Sequence, residues 1–140
     1  MSDKYFLDTT VFVYSLDLVE PQKALIAEKL VTQGVTAGLG VISYQIVQEF
    51  MNVSLRQFKA TMTVTELERY FFTILLPMMR VSSSTELFLD ALQLRATNQL
   101  AWYDSLIVAA ANQGDCQVLY TEDMQHGQRF GDVLIQNPFL

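Results

Sequence analysis

The chain has 140 residues, enough for one domain spanning 1–140 and too few for a second catalytic domain. Hydrophobic residues make up 51% and charged residues only 17%, which excludes a disordered chain and points to some apolar surface covered by a partner or a second copy. With 15 acids against 9 bases the net charge is −6, so a broad basic face for gripping nucleic acid is excluded too.

Met1-Ser2-Asp3-Lys4 lacks the apolar core and small-residue cleavage site of a signal peptide. No apolar run reaches the ~18 residues of a membrane span, so the cytoplasm is the expected location. Lys4-Tyr5-Phe6-Leu7 reads as a buried strand that ends at Asp8-Thr9-Thr10. Thr10 is placed to cap a short helix through Leu16. Glu20-Pro21 opens a second helix, in which Ala24, Leu25, Ala27, Leu30 and Val31 have helical spacing and Gly34 is the stop signal.

A short strand is predicted over Thr36 to Val41, then a long helix from Ser43 to about Phe58 with Ile42, Ile46, Phe50 and Val53 as its apolar stripe. Thr63 to Leu76 is a helix crowded with aromatic and aliphatic residues, ended by Pro77. Its Tyr70–Leu76 cluster holds more bulk than one helix face buries, so it either fills the core or meets a partner. Met78 to Ser82 reads as a strand, Ser84 to Asn98 as a helix, and Asp104 to Gln113 as an almost wholly apolar helix stopped by Gly114. Before it, Trp102-Tyr103 is either core or a base-stacking platform. Cys116, a lone cysteine, excludes an internal disulfide, and with the single His126 it excludes a zinc site of the usual Cys/His type. Gln117 to Tyr120 is a buried strand, and Asp132 to Gln136 a last edge strand. Strands alternating with helices give an α/β fold with a mainly parallel sheet.

Four acids fall at informative places. Asp8 and Asp123 follow strands, where open α/β sheets bind ligands, although Asp is also a common turn and capping residue. Glu49 lies along the apolar stripe of its helix, either as a boundary glutamate reaching solvent or as a group with a partner. Asp104 starts its helix, as an N-cap, a ligand or both. Converging carboxylates would repel and raise one another's pKa values, and a hard divalent cation resolves that conflict. All-oxygen ligation suits Mg²⁺ or Mn²⁺, ions that activate water and offset charge on a phosphoryl group.

Four stretches in order carry a resemblance to a known family. They are Phe6-Leu7-Asp8-Thr9-Thr10-Val11-Phe12-Val13-Tyr14, Ser43-Tyr44-Gln45-Ile46-Val47-Gln48-Glu49-Phe50, Trp102-Tyr103-Asp104-Ser105-Leu106-Ile107-Val108-Ala109-Ala110-Ala111 and Leu119-Tyr120-Thr121-Glu122-Asp123-Met124-Gln125-His126-Gly127. With these the chain resembles the PIN-domain ribonucleases, and most closely the VapC-type toxins of toxin–antitoxin pairs. The resemblance covers essentially the whole chain. It implies a three-layer α/β/α fold with a short central sheet, and an endoribonuclease hydrolysing RNA phosphodiester bonds at a Mg²⁺ or Mn²⁺ site. It implies Asp8, Glu49, Asp104 and Asp123 as catalytic and metal-holding residues, with Thr10 and Thr121 in support. Thr10 stands where many relatives have Asn or Ser, and the family pattern favours Asp123 over its neighbour Glu122. It also implies a homodimer wrapped by a protein antitoxin.

Of the −6, the four acids supply −4, which leaves −2 for the rest of the chain. Arg56, Lys59 and Arg129 are then either ordinary solvated charges or the few phosphate contacts that a short single-stranded or loop RNA needs. Two other readings compete. A PIN-like module could bind RNA or protein without catalysis. An aspartyl-phosphate phosphatase would use Asp8 as nucleophile, but such enzymes commonly place a second Asp two residues on, where this chain has Thr10.

Overall fold

The computed structural model describes residues 3–17, 19–57 and 62–140. Strand β1 (Tyr5–Leu7) is followed by helices α1 (Thr9–Ser15) and α2 (Pro21–Thr36), strand β2 (Gly40–Ser43) and helix α3 (Tyr44–Gln57). Helix α4 (Val64–Tyr70), a π-helical turn (Phe71–Leu75) and the short helix α5 (Leu76–Met78) run into β3 (Met79–Val81). Helices α6 (Thr85–Asn98) and α7 (Trp102–Gln113) precede β4 (Val118–Tyr120), β5 (Arg129–Phe130) and β6 (Val133–Gln136).

The sheet order is β3-β2-β1-β4-β6-β5, and every pairing is parallel except β5 with β6. Helices flank the sheet in an α/β/α arrangement. All three residues of β1 are buried, as expected of a central parallel strand covered on both faces. From β1 the chain moves to β2 on one side and later returns to β4 on the other. The strand order therefore reverses between β1 and β4, and in open α/β sheets the carboxyl ends of the strands at such a point are where ligands bind.

The core fills the space between sheet and helices. Phe6, Phe12, Ile42, Ile46, Phe50, Leu119 and Ile135 are fully buried, each worth about 1.5–3 kcal/mol of transfer free energy. Phe12 meets Phe50 edge-on at 6.1 Å between ring centroids, which fixes α1 against α3. Among the described residues, no helix is long and apolar enough to cross a membrane.

Several boundaries differ from the sequence reading, each for a physical reason. Asp8, not Thr10, caps α1: its side chain accepts the Thr9 N–H at 2.7 Å, so the helix starts two residues earlier. Gly34 does not stop α2. It is buried inside the helix, where an added Cβ would lie 3.2 Å from Gly40 Cα. The turn falls instead at Gly38, whose φ of +69° suits glycine, and that delays β2 to Gly40–Ser43. Ile42 therefore belongs to β2 rather than to the stripe of α3.

Thr63 forms a capping box with Glu66 at the start of α4. Pro77 does not end that helical run. The π-turn before it, in which the Leu76 N–H reaches the Phe71 carbonyl, widens the spiral and admits a residue without an N–H. Val133–Gln136 is not an edge strand, because Arg129–Phe130 pairs outside it. Phe58, the expected end of α3, lies outside the described residues.

The Tyr70–Leu76 cluster divides between the two roles left open for it. Leu75 is fully buried, whereas Phe72 is 63% exposed. Phe72, Phe71, Leu67 and Val64 face Val47, Met51 and Leu55 of α3 across an apolar groove of about 600 Å³. Trp102 packs against the core and against Phe88, 6.4 Å away, while Tyr103 beside it is exposed.

Cys116 is buried, and burial pushes its thiol up to about 12. The folded protein is therefore expected to resist alkylation by iodoacetamide at neutral pH and to react at once in denaturant. Equal labelling of folded and unfolded chains in a mass spectrum would contradict this burial.

Candidate active site

The site begins at the switch point. Apolar β1 ends at Leu7, and the next residue, Asp8, is held at the carboxyl end of the strand by its own N–H, which donates to the Tyr120 carbonyl of β4 at 3.1 Å. The Asp8 carboxylate is almost fully buried. One oxygen accepts the Thr9 N–H, and the other accepts the Thr121 hydroxyl at 2.7 Å. Thr121 is the first residue after β4, and its hydroxyl oxygen also accepts the Asp123 N–H at 3.1 Å. A single hydroxyl thus ties the ends of both central strands to the turn that carries Asp123.

Glu49 reaches the crevice from α3. Its Oε1 accepts the Thr9 hydroxyl at 2.5 Å, and its Oε2 accepts the Gln45 amide at 3.3 Å. The same amide nitrogen approaches the Tyr103 carbonyl at 3.4 Å, which links α3 to the start of α7. Asp104 stands in the first turn of α7. The helix begins at Trp102 after the Ala101 cap, so Asp104 is not the N-cap that its place in the sequence suggested. No side chain occupies that cap, which leaves the Asp104 carboxylate to face the crevice charges.

The charge of Glu49 acts on the other three acids. Burial, and then the charges of Asp123 and Glu49, push the Asp8 carboxyl up to about 6 against the pull of its two hydrogen bonds. Burial and the charges of Asp123 and Glu49 also raise Asp104. Burial and the charges of Glu122 and Glu49 raise Asp123. No described Lys or Arg forms an ion pair with any of the four.

Their donor chemistry, all oxygen and uncompensated, fits a hard divalent cation. The ligating geometry is not assembled: among the described residues no three Asp, Glu, His or Cys side chains are arranged to hold an ion.

Not every candidate residue joins the acids. Thr10 Oγ1 is buried and has no hydrogen-bond partner among the described residues, while its neighbour Thr9 makes the contact to Glu49. The sequence reading passed over Thr9. Its signal would have been Asp8 as the cap, because the cap fixes which hydroxyl the first helical turn turns inward. Glu122 faces away from the crevice, toward Lys23 and Tyr14.

Arg56 is exposed in the last turn of α3, seven residues beyond Glu49 and so about 10 Å further along the same helix face. Lys59 lies outside the described residues. Arg129 is not brought to the acids at all. It lines a separate cavity with Asp115, Gln117 and Asp132 at the amino ends of the strands. His126 accepts the Asn137 N–H at 3.0 Å and stays at the surface.

Fold and site together define an α/β protein with an acidic crevice at the switch point of its sheet. Residues 5–129 match the PIN domain family, and the chain belongs to that family. Solved structures share the fold at low identity. A toxin–antitoxin complex from Klebsiella pneumoniae matches with a TM-score of 0.67 and 16% identity over 96% of this chain and 98% of that one. FitAcB from Neisseria gonorrhoeae matches with a TM-score of 0.63 and 20% identity, over 96% and 98%. VapBC2 from Rickettsia felis, bound to a DNA fragment from its promoter, matches with a TM-score of 0.63 and 16% identity, over 94% and 96%. No curated protein matches the chain.

Proposed function

We propose that the protein is a Mg²⁺- or Mn²⁺-dependent endoribonuclease, the toxin of a toxin–antitoxin pair. One observation carries the reading. Four carboxylates, from two strand ends and two helices, share a crevice that no described basic side chain neutralises. A bound divalent cation would supply charge compensation and an activated water for phosphodiester hydrolysis. Asp8, Glu49, Asp104 and Asp123 would hold it.

The remaining work falls to the chain itself. The Thr121 hydroxyl and the Thr9 N–H each hold one oxygen of Asp8, and the Thr9 hydroxyl and Gln45 hold Glu49 from two sides. Thr10, whose buried hydroxyl has no hydrogen-bond partner among the described residues, would support the site from behind Thr9 rather than touch RNA. Arg56 is placed for a phosphate further along the strand, and the small number of such bases suits a short single-stranded substrate.

The apolar groove between α3 and the π-turn, with Leu55, Val64 and Phe72 exposed, supports cover by an antitoxin. Exposed Leu89 and Leu92 on α6 support a second copy of the chain.

The test is cleavage of a mixed RNA pool, with tRNA and ribosomal RNA, in Mn²⁺ and in EDTA. Cutting is expected only with metal. Cutting that survives EDTA would remove the metal from the reaction, and no cutting together with no Mn²⁺ binding would favour a non-catalytic RNA- or protein-binding module.

A further inference from the structure

The turn that carries Asp123 is pinned on both sides of Glu122, and only one of those pins belongs to the site described above. On the near side, Thr121 bonds Asp8. On the far side, Glu122 turns away from the crevice into a small cluster. Its Oε2 accepts the Lys23 ammonium at 2.7 Å, and its Oε1 accepts the Tyr14 hydroxyl at 2.8 Å. The ammonium also donates to the Tyr14 oxygen at 3.3 Å and sits over two rings, 4.7 Å from the centre of Tyr14 and 5.5 Å from that of Phe139. Those rings meet edge-on at 4.9 Å, so the cation rests on a rigid aromatic corner built by α1 and the C-terminal segment.

The next residue has no such support. Among the described residues, no hydrogen bond or ion pair reaches the Asp123 carboxylate; only its N–H is held, by Thr121. The direction of that carboxylate therefore depends on the backbone between Thr121 and Glu122, and Glu122 is fixed by Lys23. Lys23 also supplies the positive charge opposite a carboxylate one residue from Asp123, in a neighbourhood already crowded with negative charge.

We propose that Lys23 is a positioning residue for the acidic site: by clamping Glu122 against Tyr14 it aims Asp123 at the other three acids and keeps a fifth carboxylate out of the crevice. The inference rests on the metal-binding reading of that site. Two features separate it from an ordinary surface ion pair. The ammonium makes two hydrogen bonds and two ring contacts at once, and its carboxylate partner is the direct chain neighbour of a site residue.

The test is Mn²⁺ titration of the full chain by calorimetry, with thermal melts of each variant alongside. Lys23→Met is expected to weaken Mn²⁺ binding about tenfold, as loss of a group supporting a ligand does, with little change in melting. Lys23→Arg, which keeps the charge, should bind like wild type. In a Glu122→Gln background the further change Lys23→Met should have no added effect, because the two residues act through one contact.

Wild-type affinity in Lys23→Met would overturn the clamp while leaving the site reading intact, provided Asp8→Asn still loses binding. Equal penalties for Lys23→Met with and without Glu122→Gln would overturn it as well. If neither wild type nor Asp8→Asn binds Mn²⁺, the site reading itself fails and the clamp falls with it.

Discussion

Asp8→Asn is expected to cut RNA about a thousandfold more slowly than wild type, the equivalent of about 4 kcal/mol of lost charge stabilisation. The same variant is expected to be the more stable protein near about pH 8 in EDTA. The sign follows from the direction of the shift. Burial and neighbouring acids raise the folded carboxyl from 3.8 to about 6. Below the unfolded value the group is neutral in both states, and the folded protein loses nothing by burying it. As the pH rises through the folded value, the wild type must either ionise Asp8 in a buried, negative crevice or keep a proton that the unfolded chain has released. That costs about 3 kcal/mol once both transitions are passed.

Asparagine removes this cost. Its carbonyl oxygen can still accept the Thr9 N–H and cap α1. Melting curves in EDTA across this pH range check the claim: the gap between variant and wild type should open as pH rises. A gap that is constant with pH, or an asparagine variant that melts lower near about pH 8, would show that Asp8 is not under electrostatic strain. Added Mn²⁺ should narrow the gap by stabilising the wild type selectively.

Gly40→Ala should give the second large effect, this time on stability. Gly40 opens β2 where α2 crosses it, and Gly34 faces it from the helix. A Cβ on Gly40 would lie 2.5 Å from Met78 Sδ and 2.9 Å from Gly34 Cα. The sulfur can swing aside, but the glycine backbone cannot move without shifting the helix. Overpacking of this kind costs about 1–3 kcal/mol, and a contact against backbone belongs at the upper end. Denaturant unfolding reads it directly: the midpoint should fall with the slope unchanged. An alanine variant as stable as wild type would mean that α2 and β2 are not packed at this distance.

These effects also mark where sequence reading succeeds and where it stops. Tyr5-Phe6-Leu7 and Val118-Leu119-Tyr120 are short apolar runs ended by polar residues, so both central strands and the acids beyond them could be read directly. Apolar periodicity likewise revealed α3, and an almost wholly apolar run stopped by Gly114 revealed α7 from Asp104 onward, two residues after its start at Trp102. What escaped was set by contacts distant in sequence. Gly34 carries a stop signal, yet α2 continues to Thr36 because glycine is needed there for the approach to β2. Pro77 carries a break signal that the π-turn absorbs. The two-residue strand β5 is too short to show alternation and exists through its pairing with β6. At the site, the choice between Thr9 and Thr10 depended on the phase of α1, which one capping hydrogen bond decides. The choice of Asp123 over Glu122 came from the resemblance and not from spacing, and the ion pair that occupies Glu122 comes from Lys23, ninety-nine positions away.

The π-turn has a further consequence. Compared with an α-helical path it spends one extra residue between Tyr70 and Leu76, and each residue of a helix turns its successors by about 100°. Met78, whose sulfur sits against both Gly34 and Gly40, therefore reaches that place through a count of residues as much as through its own chemistry. A lineage that lost one residue from Phe71–Leu75 could close the π-turn into an α-helical one and keep Met78 facing both glycines, whereas losing a second would turn every downstream side chain by about 100°. This stretch should tolerate the loss of one residue far better than the loss of two.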